Sequence, residues 1–126
     1  MADSVDTRAY GWEMHSDEGN SDKFYRIIVF LSPDPGVIYF YGGRGSLGVV
    51  DVKPTATAEA AIAEAVGKTR TKQRKYELSR DFTVFSVPAD YASPSSRKEN
   101  AHRIALLFGQ QSDMDGTSLP NAVPVA

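Results

Sequence analysis

Eight consecutive residues, Lys68-Thr69-Arg70-Thr71-Lys72-Gln73-Arg74-Lys75, hold five cations and no acid. Side chains at this density can neutralise the phosphates of a polyanion, and the threonine hydroxyls can add hydrogen bonds to the same oxygens. The plainer account is a solvated helix end, because a cation near a helix C-terminus gains about 0.3–1 kcal/mol from the helix dipole. A single lysine would fit that account, whereas five together make an electrostatic footprint for nucleic acid. A second candidate is Arg44, with no acid beside it in the sequence, inside Tyr41-Gly42-Gly43-Arg44-Gly45-Ser46-Leu47-Gly48. Four glycines in seven residues allow positive-φ conformations and close approach to a partner. Arg44 is then presented as an unpaired cation, on a turn where the bland alternative is a solvent-facing hairpin residue.

Other chemistries find less support. The glycine stretch opens a strand and has no following Lys-Ser/Thr pair, so the phosphate-loop and dinucleotide fingerprints fail. His15 and His102 are isolated, with no acid–His–nucleophile spacing around them. Asp113-Met114-Asp115-Gly116 opens like a calcium loop but lacks the later ligands and the closing Glu. The chain has no cysteine, which removes disulfides and thiolate metal sites. Trp12, Phe24, Tyr25, Phe30, Tyr39 and Phe40 read as core, since alternating strand aromatics are how a small sheet buries area. Only Tyr41, next to the turn, reads as a stacking residue. The expected nucleic-acid contacts are Tyr41, Gly43, Arg44, Lys68, Arg70, Lys72, Arg74 and Lys75. No enzyme activity, cofactor, metal or small-molecule substrate is expected.

At 126 residues, 41% apolar and 24% charged, the chain has the bulk character of one soluble globular domain. No run approaches the ~18 apolar residues of a membrane span, and the N-terminus lacks a signal-peptide pattern, so a cytoplasmic location away from membranes is expected. The net charge of −2 hides an uneven distribution. Residues 1–22 carry six acids and one base, whereas residues 37–80 carry eight bases and four acids. Binding follows such local fields over roughly 8–10 Å, not the total charge.

The positioning elements follow from pattern. Arg8 to His15 alternates Tyr10, Trp12 and Met14 on one strand face. A turn is expected at Asp17-Glu18-Gly19-Asn20. Phe24 to Leu31 is apolar on both faces from Ile27, as a central strand would be. Ser32-Pro33-Asp34-Pro35-Gly36 is a turn, Val37 to Tyr41 returns antiparallel, and Leu47 to Lys53 follows until Pro54. Thr57 caps a helix running to about Lys72, with Ala58, Ala61, Ile62, Ala65 and Val66 as its apolar stripe. Phe82 to Val87 is the last strand. Ser93-Pro94 starts a helix that buries Ala101, Ile104, Ala105 and Phe108 and stops at Gly109. The expected class is α+β: an antiparallel sheet of 4–5 strands, with a helix packed on one face and an additional C-terminal helix. Hairpin-length links suggest that both helices cover the same face. A flexible segment at 1–7 and a disordered tail at 110–126 flank a domain at 8–109.

Between Arg8 and Val87 this pattern resembles the WGR domain, the Trp-Gly-Arg domain of DNA-break-sensing poly(ADP-ribose) polymerases and of many small bacterial proteins. Lys23-Phe24-Tyr25, preceded by Asn20, is similar to the family's Asn-Lys-Phe-Tyr stretch. Gly43-Arg44 matches the end of the namesake motif, Ala60 and Ala61 its small helical residues, and Lys68 with Tyr76 its closing pair. Gly42 stands where the family has tryptophan, with Tyr41 as the nearest ring, and Gly45 and Gly48 are spaced one residue differently. The resemblance implies a non-enzymatic module contacting the DNA backbone at ends or breaks through Arg44, beside the basic helix end. The alternative is a protein-interaction module that docks a partner through the sheet edge or the C-terminal helix.

Overall fold

The structure is a computed structural model that describes residues 7–17, 22–91 and 93–110. The segment 1–6, Asn20 with most of its turn, and residues 111–126 with the Asp113-Met114-Asp115-Gly116 stretch lie outside the described residues. The chain forms β1 (Thr7–Ser16), β2 (Lys23–Phe30), β3 (Gly36–Gly43), β4 (Val49–Pro54), α1 (Ala58–Lys72) and β5 (Glu77–Val87). A short 3-10 turn at Ala89–Tyr91 leads to α2 (Pro94–Glu99) and α3 (Ala101–Gln110). The strands make one antiparallel sheet in the order β4-β3-β2-β1-β5, an α+β fold. No helix among the described residues is long and apolar enough to cross a membrane.

β2 lies at the centre, and Ile27 to Phe30 are fully buried. Its side chains alternate between two cores. Tyr25, Ile27 and Val29 join Trp12, Met14, Val37 and Tyr39 beneath Ala61 and Ala65 of α1. Phe24, Ile28 and Phe30 join Ile38, Phe40 and Phe85 against Ala101, Ile104 and Phe108 of α3. The helices therefore cover opposite faces, not the single face that the hairpin links suggested. A central strand apolar on both sides has two surfaces to remove from water, and one layer of helices covers only one of them.

Close approach fixes how the layers meet. A Cβ on Gly11 of β1 would stand 2.7 Å from the Phe108 ring, so α3 can sit this low only over a glycine. On the other side, Thr57 caps α1 as its hydroxyl accepts from the Ala60 N–H at 3.0 Å. The buried stripe of α1 is Ala61, Ala65 and Thr69, while Ile62 and Val66 flank it half-buried. Its phase is turned slightly from the expected stripe, because small alanines let the helix backbone lie close to the sheet.

Three further boundaries differ from expectation. β5 starts at Glu77, five residues before Phe82, because it extends its pairing along β1 as far as His15. Ser93 caps a helix as expected, accepting from the Ser96 N–H at 3.3 Å, but Asn100 divides that helix into α2 and α3. Gly109 does not stop α3, which continues to Gln110, and its φ is not among the positive values of Gly42, Gly45 and Gly48.

Candidate nucleic-acid interface

Gly48 shapes the turn after β3. Its φ is 82°, and a Cβ there would lie 2.7 Å from the Phe24 ring and 2.8 Å from the Tyr41 carbonyl oxygen. A side chain is thus excluded by both conformation and space. The Ser46 N–H and hydroxyl donate to the Gly43 carbonyl at 3.1 and 2.6 Å, closing the loop that carries Arg44. Gly43 itself is the last residue of β3 and has ordinary backbone geometry.

Arg44 is not unpaired, contrary to its sequence surroundings. Its backbone N–H donates to the Asp22 carbonyl at 2.9 Å, and its guanidinium meets the Asp22 carboxylate at 3.4 Å. The two side chains are more than half exposed, at 53% and 58%. Asp22 stands just before β2, and antiparallel pairing of Lys23 with Gly43 carries it to the turn. This is a solvent-screened ion pair that a phosphate can replace.

Tyr41 is half-buried on the α1 face and stacks on Tyr25, its cross-strand partner, with ring centroids 5.3 Å apart and planes 9° from parallel. Residue 42 points to the opposite face by strand alternation. Tyr41 therefore does not occupy the place that a side chain at position 42 would take. It belongs instead to a cluster around Tyr25, with Tyr39 and Tyr76 each 5.9 Å away.

The basic run meets this cluster from above. Lys68 and Lys72, one helical turn apart and half-buried, lie over the rings: Lys68 Nζ is 5.2 Å from the Tyr39 centroid and Lys72 Nζ is 4.8 Å from that of Tyr25. Arg70, Arg74 and Lys75 are exposed. None of the five forms an ion pair among the described residues. Beyond Lys72 the chain turns as the Lys75 and Tyr76 N–H groups donate to its carbonyl. Thr71, Lys72, Arg74, Lys75 and Tyr76 bound a shallow cleft of about 270 Å³ there. Thr69, whose hydroxyl the sequence offered to phosphate, is fully buried. It accepts from Trp12 Nε1 at 3.0 Å and donates to the Ala65 carbonyl at 2.8 Å. Thr71 remains exposed and donates to the Gly67 carbonyl.

Acids sit at the far end of the same face. Tyr39 donates to the Glu64 carboxylate at 2.8 Å, and Lys53 approaches that carboxylate at 3.6 Å. Burial raises the Tyr25 pKa from 10 to about 12, with smaller contributions from Tyr41, Asp51, Tyr76 and Glu64. Tyr39 is raised further by burial and by its bond to Glu64. Both stay protonated near neutrality and keep neutral, electron-rich ring faces towards the lysines.

The structure thus brings Tyr41, Lys68 and Lys72 together through Tyr25, with Arg74 and Lys75 beside the cleft. Arg44 lies at the same sheet end, three residues beyond Tyr41, and Arg70 points away from the rings. Tyr25 and Tyr76 complete the cluster although neither was singled out as a contact. Both stood in motifs of the family resemblance, Tyr25 beside Phe24 and Tyr76 with Lys68, but Tyr25 faces Tyr41 only once the β2–β3 register is fixed. His15 and His102 remain on separate elements, and among the described residues no three His, Asp or Glu gather as a metal site.

Comparison with protein-family models, curated proteins and solved structures returned no match.

Proposed function

We propose that this chain is a non-enzymatic nucleic-acid-binding module that holds DNA backbone at the sheet end shared by the glycine turn and the α1 terminus. The observation that carries this reading is the run of five cations without an ion-pair partner among the described residues, two of them laid over tyrosines. Unpaired cations retain their full charge for phosphate, and neutralising each phosphate releases condensed counterions. Arg44 supplies a planar fork suited to two phosphate oxygens, at the expense of a weak exposed pair with Asp22. The resemblance to the WGR domain adds ends and breaks as the preferred DNA form.

A salt series with blunt, nicked and single-stranded DNA tests the reading. Affinity should fall linearly on logarithmic axes, with a slope of about 0.9 per phosphate neutralised on duplex. Reversing Arg70, Lys72 and Arg74 together should flatten that slope. No binding at low salt, or an unchanged slope in the triple variant, would overturn the assignment.

A further inference from the structure

β4 pairs with β3 along one side, and among the described residues no strand pairs with its outer side. Which backbone groups that edge presents follows from one bond. The Thr55 N–H donates to the Pro35 carbonyl at 3.0 Å, and these two residues extend the register that sets Gly36 opposite Pro54. In an antiparallel ladder such bonds recur at every second pair. Lys53, Asp51 and Val49 therefore bond inward to β3, whereas Val50, Val52 and Pro54 turn their backbone groups outward. Pro54 has no N–H to leave unpaired there, which suits an edge. On the α3 face a cleft of about 350 Å³ separates Val50 and Val52 from Lys98 and His102, so the helices do not cover the outward groups.

The side chains of this edge carry charge on one face only. Asp51 and Lys53 lie opposite Tyr39 and Val37, on the α1 face, while Val50 and Val52 pack into the core beneath α3. Asp51 is half-buried and forms no ion pair with described residues. Lys53 is 44% exposed and reaches Glu64 only at 3.6 Å, so its ammonium has donors left for another acceptor. An acid without a base and a loosely held base thus stand two residues apart. The other edge strand differs, because register shifts interrupt the pairing of β5 with β1 and an irregular edge is a poor template.

A second β4 laid antiparallel along the first can meet it about a two-fold axis at several positions. With the axis at Val50, Asp51 faces the partner's Val49. With the axis at Asp51, the two carboxylates face each other, and with the axis at Lys53 the two ammonium groups do; like charges directly opposite are destabilising. With the axis at Val52, Asp51 faces the partner's Lys53, and symmetry repeats the pair. Only this register satisfies both charges. It also puts them at a non-hydrogen-bonded position, where Cα atoms stand about 4.5 Å apart and side chains are closest.

We propose that the outer edge of β4 pairs with a second copy of the chain about a two-fold axis at Val52, joining the two five-stranded sheets into one. The two Val52 residues exchange N–H and C=O bonds, and each Val50 N–H donates to the partner's Pro54 carbonyl. Because the contact is isologous, one complementary pair of charges acts twice. Lysine and proline, which guard many edges against pairing, here take part in it. Both α1 layers fall on one side of the joined sheet, with their basic ends directed oppositely along the strands. This inference is independent of the nucleic-acid reading, since neither Asp51 nor Lys53 belongs to the basic run.

Cysteine variants of the full chain test the register, since the natural sequence has no cysteine. Asp51→Cys mixed with Lys53→Cys under oxidised glutathione should give disulfide-linked dimers of the two variants, a separation that a disulfide spans. Asp51→Cys alone should not link. Sedimentation equilibrium supplies a second measurement without cross-links. The parent should dimerise with concentration, and Asp51→Lys or Lys53→Asp should each weaken the dimer by about tenfold or more. Mixing those two variants should restore it as a heterodimer, because each lysine again faces an acid; a variant that merely misfolds would not recover. Reversal of Arg70, Lys72 and Arg74, which tests the nucleic-acid site, should leave the dimer unchanged. A parent that stays monomeric at its highest soluble concentration, self-linking of Asp51→Cys, or no recovery in the mixture would each overturn the proposal.

Discussion

Arg44 keeps its place through a backbone bond to Asp22 at 2.9 Å, whereas its guanidinium reaches the same residue only at 3.4 Å and in solvent. Removing the side chain therefore leaves the turn intact, since an exposed pair contributes only ~0–1 kcal/mol. Arg44→Ala should weaken DNA binding by about tenfold or more, a lost charge-assisted bond, at similar cost across sequences. The melting temperature should barely move. Arg44→Lys should fall between parent and alanine, because it keeps charge but not the fork. Thr69 inverts this pattern. Thr69→Val preserves shape but deprives the Trp12 indole of its acceptor, so urea titration should show a loss of about 1–3 kcal/mol. The only tryptophan of the chain should report it by fluorescence, and DNA affinity should be unaffected. Thr71→Val, at an exposed hydroxyl, should be nearly neutral. The sequence made these two threonines equivalent neighbours in a basic run. What separates them is a rotation of about 200° over two helical positions, relative to a sheet whose position no local pattern encodes.

At the scale of elements, α1 shows what was legible and what was not. Thr57, Glu59 and the apolar spacing marked its start and extent, because caps and periodicity are local properties. Its phase was harder to read, since Ile62 and Val66 outweigh alanines in hydrophobicity although Ala61 and Ala65 make the closest approach. The consequence is testable. Ala65→Leu forces extra volume beneath a helix lying on the sheet and should cost about 1–3 kcal/mol. It should also lift Lys68 and Lys72 from Tyr39 and Tyr25, lowering DNA affinity more than the less buried Ile62→Ala does. Equal DNA affinities in the two variants would separate the helix's packing from the site. β5 was legible only from Phe82 onward. Glu77, Ser79 and Arg80 offer no apolar alternation; pairing with β1 holds the segment in the strand, with the Ser79 hydroxyl donating to the Glu13 carbonyl and the Arg80 guanidinium to that of Phe108. The two-sided core was implicit in β2, but which helix covers which side depends on chain connections that periodicity does not specify.

For the molecule as a whole, the two helical layers carry buried groups with opposite responses to alkali. On the α1 side, Tyr25 titrates near 12 instead of 10, chiefly because burial disfavours its phenolate. The unfolded chain loses this proton first, so Tyr25 contributes stability that is complete below pH 10 and lost as pH rises through 12. On the α2 side, Arg97 is 1% exposed and its guanidinium lies 3.9 Å from the Phe30 ring centroid. Among the described residues its Nε and Nη2 have no hydrogen-bond partner, and burial lowers its pKa to about 10, partly offset by Asp34. Here the unfolded chain holds the proton longer, so the penalty of the buried charge is present below pH 10 and eases as pH rises above it. Each variant should expose the other group's slope. Tyr25→Phe should flatten the alkaline loss of stability between pH 10 and 12 and delete a tyrosinate absorbance step near pH 12. Arg97→Met keeps the length and apolar stem of the side chain without its charge, so stability at neutral pH should be unchanged or higher. With the compensating gain removed, the alkaline decline should become steeper than in the parent. Urea midpoints measured across pH 9–12 for the parent and both variants decide the matter; parallel curves for all three would mean that neither buried group titrates differently in the folded chain.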